Sequence, residues 1–305
     1  MGTYPLSLSM AAFVASTESF ASDDSSLGGL RKSYDAMCRA FTPERPAGLE
    51  VVDFQLSGVA VRSYRPPVRP SASGWPCVLY LHGGGWVVGG LDSHDFICCE
   101  MAMALGAMVV AVDYRLAPEH PFPAGFEDCL TVWRALRSGP FWFDPGRMLV
   151  AGDSAGGNLA AALCLALRDA GEPLPGAQVL IYPGLGGDAQ LPSRSECADA
   201  PLLASSDVDC YHALYLRGTA KPNAYAMPLL AGDFSGLPPA WIAVAQFDPL
   251  RDDGVCYAER LNAAGVDAAL YYGKGLVHGC LRARHQVAEV DRLFENLLGF
   301  MADKL

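Results

Sequence analysis

The pentapeptide Gly152-Asp153-Ser154-Ala155-Gly156 sets one hydroxyl between glycines two residues to either side. The apolar run Met148-Leu149-Val150-Ala151 enters it, and a small-residue run, Gly156 to Leu167, leaves it with helical character. A strand–turn–helix of this kind forces the serine into a strained backbone conformation, while the glycines let strand and helix approach closely. Ser154 then projects at a helix N-terminus, where developing negative charge is favoured. The chemistry this suits is nucleophilic attack by a serine oxygen. The five letters alone are a weak signal, and the flanking elements distinguish them from a glycine-rich turn without chemistry.

A serine hydroxyl attacks only when a base removes its proton, and the chain order that accompanies such an elbow is serine, acid, histidine. Of six histidines, His82, His94 and His120 precede Ser154, and His212 comes before any well-placed acid. His278 follows the last strand through the loop Gly273 to Val277, whose glycines can carry an imidazole over the strand ends. His285 falls early in a terminal amphipathic helix, an ordinary solvated position, so His278 is the expected base. Asp248 directly follows an apolar strand, where functional groups of a doubly wound sheet gather. It is the expected acid, which would hold the imidazole tautomer. Its rivals, Asp252 and Asp253, have a plain role as acids in the first turn of a helix.

Attack on a carbonyl creates an oxyanion that needs preorganised donors. After the strand Cys77 to Leu81 comes His82-Gly83-Gly84-Gly85-Trp86. The amides of Gly83 and Gly84, with that of Ala155, are the expected donors. A phosphate-binding use of the glycines is disfavoured, because neither G-K-[ST] nor G-x-G-x-x-G follows. His82 is expected to anchor the loop.

These groups must be held by a sheet. From residue 75, short apolar runs alternate with helical patterns. Cys77–His82, Met108–Asp113, Met148–Gly152, Gln178–Tyr182, Ala240–Phe247 and Ala268–Tyr272 read as strands buried on both faces, the texture of a parallel sheet. Glu50–Leu56 and Val59–Tyr64 flank Ser57-Gly58 and predict an antiparallel hairpin, giving eight strands. Helices are expected over Phe96–Leu105, Ala124–Leu136, Ala155–Ala170, Val255–Ala264 and Ala283–Met301. The implied class is α/β with helices on both faces, and 305 residues fit one catalytic domain, 1–305. Residues 1–45 and about 184–223 fall outside the alternation. The second segment carries a helix signal, Ser206 as N-cap before Asp207–Leu216, with Tyr211, Leu214 and Tyr215 on one face. Both segments either cap the C-terminal edge of the sheet or pack at its periphery.

Charge and composition narrow the partners. The net charge of −11 comes without a stripe of Lys or Arg, which excludes nucleic acid and argues against anionic lipid, and mildly against anionic substrates. Ten cysteines without C-x-x-C spacing read as scattered small hydrophobes, which fits a reducing compartment. Met1–Phe20 lacks a basic start and is a poor signal peptide, and no apolar stretch reaches membrane-spanning length. A cytoplasmic location is expected, without membrane contact.

Four stretches together resemble the hormone-sensitive-lipase-like esterases, the bacterial family IV group, in the branch marked by GDSAG. They are LHGGGWVVGGLDSHD (81–95), VDYRLAPEHPFPAGFEDC (112–129), AGDSAGGNLA (151–160), and FDPLRDDGVCYAERL (247–261) with GLVHG (275–279). The resemblance implies an α/β-hydrolase fold with an eight-stranded, mostly parallel sheet and a small helical cap built from about 1–45 and 184–223. It also implies no cofactor, no metal, and hydrolysis of short-chain acyl esters, a small-molecule substrate class. Carried over by position, the nucleophile falls on Ser154, the acid on Asp248, the base on His278, and the oxyanion donors on Gly83, Gly84 and Ala155. Trp86, where phenylalanine is more usual, would shape the substrate pocket with Tyr211, Leu214 and Tyr215. A homodimer stays open. In the second stretch, Asp113, Arg115 and Glu119 are expected to form one polar network behind the oxyanion loop. The competing activities are cleavage of amides or aryl formamides by the same residues, and a non-catalytic ligand receptor on this fold, which the presence of His278 disfavours.

Overall fold

The protein is described from a computed structural model covering residues 4–139 and 143–305, so the first three residues of the Met1–Phe20 segment lie outside the described residues. Two helices come first, α1 (Leu8–Glu18) and α2 (Leu27–Ala40), each started by a serine: Ser7 Oγ accepts from the Met10 amide and Ser26 Oγ from the Gly29 amide. Then follow β1 (Glu50–Leu56), β2 (Val59–Arg65), β3 (Trp75–Leu81), α3 (Asp95–Leu105), β4 (Met108–Asp113), α4 (Ala124–Ser138), β5 (Phe143–Asp153) and α5 (Ala155–Asp169). The remainder is β6 (Gln178–Ile181), α6 (Pro192–Glu196), α7 (Ser205–Tyr215), β7 (Ala240–Phe247), α8 (Arg251–Ala263), β8 (Ala268–Val277) and α9 (Ala288–Lys304).

The eight strands form one sheet in the order β1-β2-β4-β3-β5-β6-β7-β8, antiparallel at β1–β2 and β2–β4 and parallel from β4 onward. Alternation along each strand divides the core. Cys77, Leu79 and Leu81 of β3 join Val150, Ile242 and Val244 in the layer under α4, α5 and α8. Val78 and Tyr80 join Leu149, Trp241 and Ala243 in the layer under α3 and α9, which α1 extends with Met10 and Phe13. Burial on both faces is why these strands read as unbroken apolar runs. All ten cysteines are free, eight of them buried. Among the described residues, no helix is long and apolar enough to cross a membrane.

Three local expectations are corrected. The first turn of α7 is closed by Asp207, whose carboxylate accepts from the Ala204 amide at 2.8 Å, so Ala204 and not Ser206 occupies the N-cap position. The terminal helix begins at Ala288. Residues Cys280–Ala283 instead make a short 3-10 turn, and His285 lies in the exposed turn after it, next to Glu100 at 3.1 Å. The glycine-rich stretch 273–277 is the end of β8 and no free loop: pairing slips after Ala245↔Gly273 and resumes at Phe247↔Val277.

Candidate active site

Ser154 sits between the end of β5 and the start of α5 at φ 54° and ψ −118°, a conformation a non-glycine residue holds only when its surroundings impose it. The imposition is visible. Its amide donates to the Ile181 carbonyl at 2.8 Å, and Gly156 crosses so near β3 that a Cβ there would lie 1.9 Å from the Leu81 oxygen. The slip in β8 does the rest. Because Val277 pairs with Phe247, the next residues, His278 and Asp248, leave adjacent strand ends side by side. His278 Nδ1 lies 2.7 Å from Asp248 Oδ2, and Nε2 lies 2.9 Å from Ser154 Oγ. Asp248 is fully buried, its other oxygen accepting from the Leu250 amide at 2.7 Å, and the Tyr182 ring packs 4.8 Å from the imidazole. Asp252 and Asp253 are occupied elsewhere. Asp252 meets Arg251 and the Ser193 amide, and Asp253 meets Arg194 and the amides of Leu185 and Gly187, tying the 184–223 segment to α8.

The glycine loop runs past Ser154, held from below by Asp153. Asp153 Oδ1 accepts from the Tyr80 hydroxyl at 2.8 Å and the Gly83 amide at 2.9 Å, and Oδ2 lies 3.2 Å from His94 Nε2. Burial works to raise this carboxyl, but His94, Arg282 and the Tyr80 bond together hold it well below the usual carboxylate range. The Gly83 amide is therefore committed and turned away from Ser154, which corrects its expected part as an oxyanion donor. Gly84 and Gly85, both at positive φ, line the cavity instead, beside Ala155. As the first residue of α5, Ala155 has an amide with no intrahelical carbonyl to meet. His82 does anchor the loop, with Nδ1 2.8 Å from the Gly83 oxygen and its ring stacked on Tyr114.

A family model described as alpha/beta hydrolase fold matches residues 78–282. Among curated proteins, carboxylesterase NlhH of Mycobacterium tuberculosis is 47% identical over 233 residues, covering 73% of this chain and 72% of its own. The ethyl acetate hydrolase of Pseudomonas putida is 38% identical, covering 76% and 74%. A solved esterase of the bacterial hormone-sensitive lipase family superposes with TM-score 0.89 at 31% identity, over 100% of this chain and 99% of that one. The chain belongs to the hormone-sensitive-lipase-like esterases of the α/β-hydrolase fold. It is a carboxylesterase, acting on small-molecule esters.

The esterase has a cavity of about 330 Å³ over Ser154 and His278. Its far wall comes from α1, the turn after it and α2, through Phe13, Phe20, Leu30, Tyr34 and Met37, and from α7, through Val208, Tyr211 and His212. Trp86 and Tyr211 line it. Leu214 and Tyr215 do not: Tyr215 stacks behind Trp86 at 4.2 Å between ring centres, and Leu214 packs with Val87, Val88 and Ala117. The last turn of α7 packs behind Trp86, away from the cavity. Burial pushes His212 down to about 4, with Arg194 acting the same way, so it faces the cavity neutral. Among the described residues, no group of His, Cys, Asp or Glu is placed to hold a metal.

Sequence reasoning missed Asp153, although an acid beside the elbow serine was the available signal. It also missed how α2 is fastened. Arg31 donates to both oxygens of Glu119 at 2.7 Å and to the carbonyls of Val87 and Ala117. Arg115 pairs with Asp128 instead, and Asp113 joins neither pair, so the single network expected of these three residues is absent. Asn158 donates to the carbonyls of Gly184, at the start of the 184–223 segment, and Ala226, three residues past its end.

Proposed function

We propose that this carboxylesterase cleaves short-chain acyl esters through a covalent acyl-enzyme formed on Ser154. The observation that carries the reading is the position of the His278 ring, 2.9 Å from Ser154 Oγ on one side and 2.7 Å from Asp248 Oδ2 on the other. His278 Nε2 takes the serine proton as Oγ attacks the carbonyl carbon, and Asp248 holds Nδ1–H and stabilises the imidazolium. The oxyanion is received by the amides of Gly84, Gly85 and Ala155. The intermediate collapses, and His278 returns the proton to the departing alcohol oxygen. Water, deprotonated by the same imidazole, then hydrolyses the acyl-enzyme to the carboxylic acid.

The short-chain preference is supported by a cavity near the small end of the roughly 300–1,000 Å³ range of ligand pockets, and by the ethyl acetate hydrolase among the relatives. We take α1, α2 and the 184–223 segment as the cap over a single domain. The many buried free cysteines support a cytoplasmic setting. Incubation with diethyl 4-nitrophenyl phosphate should label Ser154 stoichiometrically, and Ser154→Ala should lower kcat on 4-nitrophenyl butyrate by roughly 10³-fold or more with the fold intact. Normal turnover by the alanine variant would overturn the assignment. Faster cleavage of a matched anilide than of the ester would favour amide chemistry instead.

A further inference from the structure

Four residues beyond His278, in the 3-10 turn Cys280–Ala283, Arg282 reaches the wall of the same cavity. It is only 7% exposed. Its Nη2 donates to the Tyr34 hydroxyl at 2.7 Å and lies 3.3 Å from the Cys38 sulfur, and the guanidinium carbon stands 5.1 Å from the centre of the Tyr34 ring. Nε is buried without an acceptor, and among the described residues Nη1 has no hydrogen-bond partner either. None of the ion pairs among the described residues includes it.

A guanidinium cannot shed its charge in a protein, and taking it out of water is costly unless an anion and hydrogen bonds replace its hydration. Here a phenol, a thiol and an aromatic face replace part of that hydration; Asp153 attracts the charge only from beyond hydrogen-bond reach, and among the described residues no carboxylate touches it. Two other charged residues share the cavity wall. Asp153 turns its oxygens to Tyr80, Gly83 and His94, and Glu18 is exposed. Tyr34, Met37 and Phe13, on the same wall, carry no charge.

We propose that Arg282 is a specificity-determining residue that receives a carboxylate of the substrate, so that the preferred esters are small half-esters keeping one free carboxylate away from the scissile bond. The net charge of −11 spreads over the whole surface and does not decide this, because the field inside a largely apolar-walled cavity is set chiefly by the charges nearest to it. The inference rests on the esterase reading above and adds to it a substrate class.

Isosteric pairs test it. Monoethyl adipate is compared with ethyl 5-carbamoylpentanoate, which places the carboxylate on the acyl half, and 4-acetoxybenzoate with 4-acetoxybenzamide, which places it on the alcohol half. Charge-assisted hydrogen bonds are stronger than neutral ones, so in at least one pair the wild-type enzyme should favour the carboxylate by roughly tenfold in kcat/KM, mostly through KM. Arg282→Gln should collapse that ratio to about one or below, and Arg282→Lys should keep part of it. Absence of a carboxylate preference in both wild-type pairs overturns the proposal without any variant. So does an Arg282→Gln enzyme that loses activity on both members of a pair and keeps their ratio. If 4-nitrophenyl butyrate is still cleaved, only the role of Arg282 has failed; cleavage of no ester at all would overturn the esterase reading with it.

Discussion

The amide of Gly83 donates to Asp153 Oδ1 at 2.9 Å, so the residue immediately before the elbow serine also holds the glycine loop that faces that serine. One carboxylate thereby registers β3 against β5 at the point where both end. Asp153→Asn keeps the shape but exchanges an acceptor for a donor. We expect kcat on 4-nitrophenyl butyrate to fall by about 10- to 100-fold with KM little changed, and stability to drop by about 1–3 kcal/mol. Unchanged kcat in a folded Asp153→Asn enzyme would show that the loop does not need this bond.

Glycine substitutions should separate crowding from propensity. At Gly156 an added Cβ would meet the Leu81 carbonyl at 1.9 Å, with backbone on both sides, so Gly156→Ala should unfold the elbow or cost at least roughly 3 kcal/mol. At Gly299, inside α9, a Cβ meets nothing within 4 Å, and Gly299→Ala should stabilise by roughly 0.5–1 kcal/mol. Urea melts that rank the two in the opposite order would contradict the packing described.

The cavity over Ser154 is walled on one side by residues of the N-terminal segment, Phe13 to Met37, and if the acyl group lies there a chain-length prediction follows. Each methylene contributes up to about 0.8 kcal/mol while it fits, and overpacking then costs roughly 1–3 kcal/mol. Efficiency on 4-nitrophenyl esters should peak at an acyl chain of about two to six carbons and then collapse. Removal of residues 1–45 takes away Phe13, Phe20, Tyr34 and Met37, and should lower solubility and blunt the cutoff. A soluble truncated enzyme with the intact profile would show that these helices do not bound the pocket.

Acid should weaken the fold through buried histidine. Burial, reinforced by His94, lowers His82 from 6.5 to about 4, so between those values the unfolded chain binds a proton that the native one refuses. Stability from this group is complete above about pH 6.5 and falls as pH drops toward 4, by a total on the order of 3 kcal/mol. Burial moves His94 in the same direction. Urea titrations between pH 7.5 and 4.5 should show the decline, and His82→Asn should flatten it. An equal slope in that variant would point to other groups.

Much of this protein could be read directly from its chain because the informative patterns are local. A parallel strand buried on both faces is an unbroken apolar run wherever it occurs, so β3, β4, β6 and β7 were placed within a residue or two. The glycine spacing around Ser154 is likewise a steric demand written into five consecutive residues. Tertiary structure decided whatever depends on a partner far along the chain. Three consecutive glycines are alike in sequence, and only Asp153, 70 residues on, determines that Gly83 is spent and that Gly84 and Gly85 face the cavity. Tyr211 and Tyr215 share one helical face, yet the tilt of α7 over Trp86 puts the first in the cavity and the second behind it. Arg282 had no local pattern to mark it, because its meaning comes from α2, nearly 250 residues away, which buries its charge against Tyr34 without a carboxylate in hydrogen-bond contact.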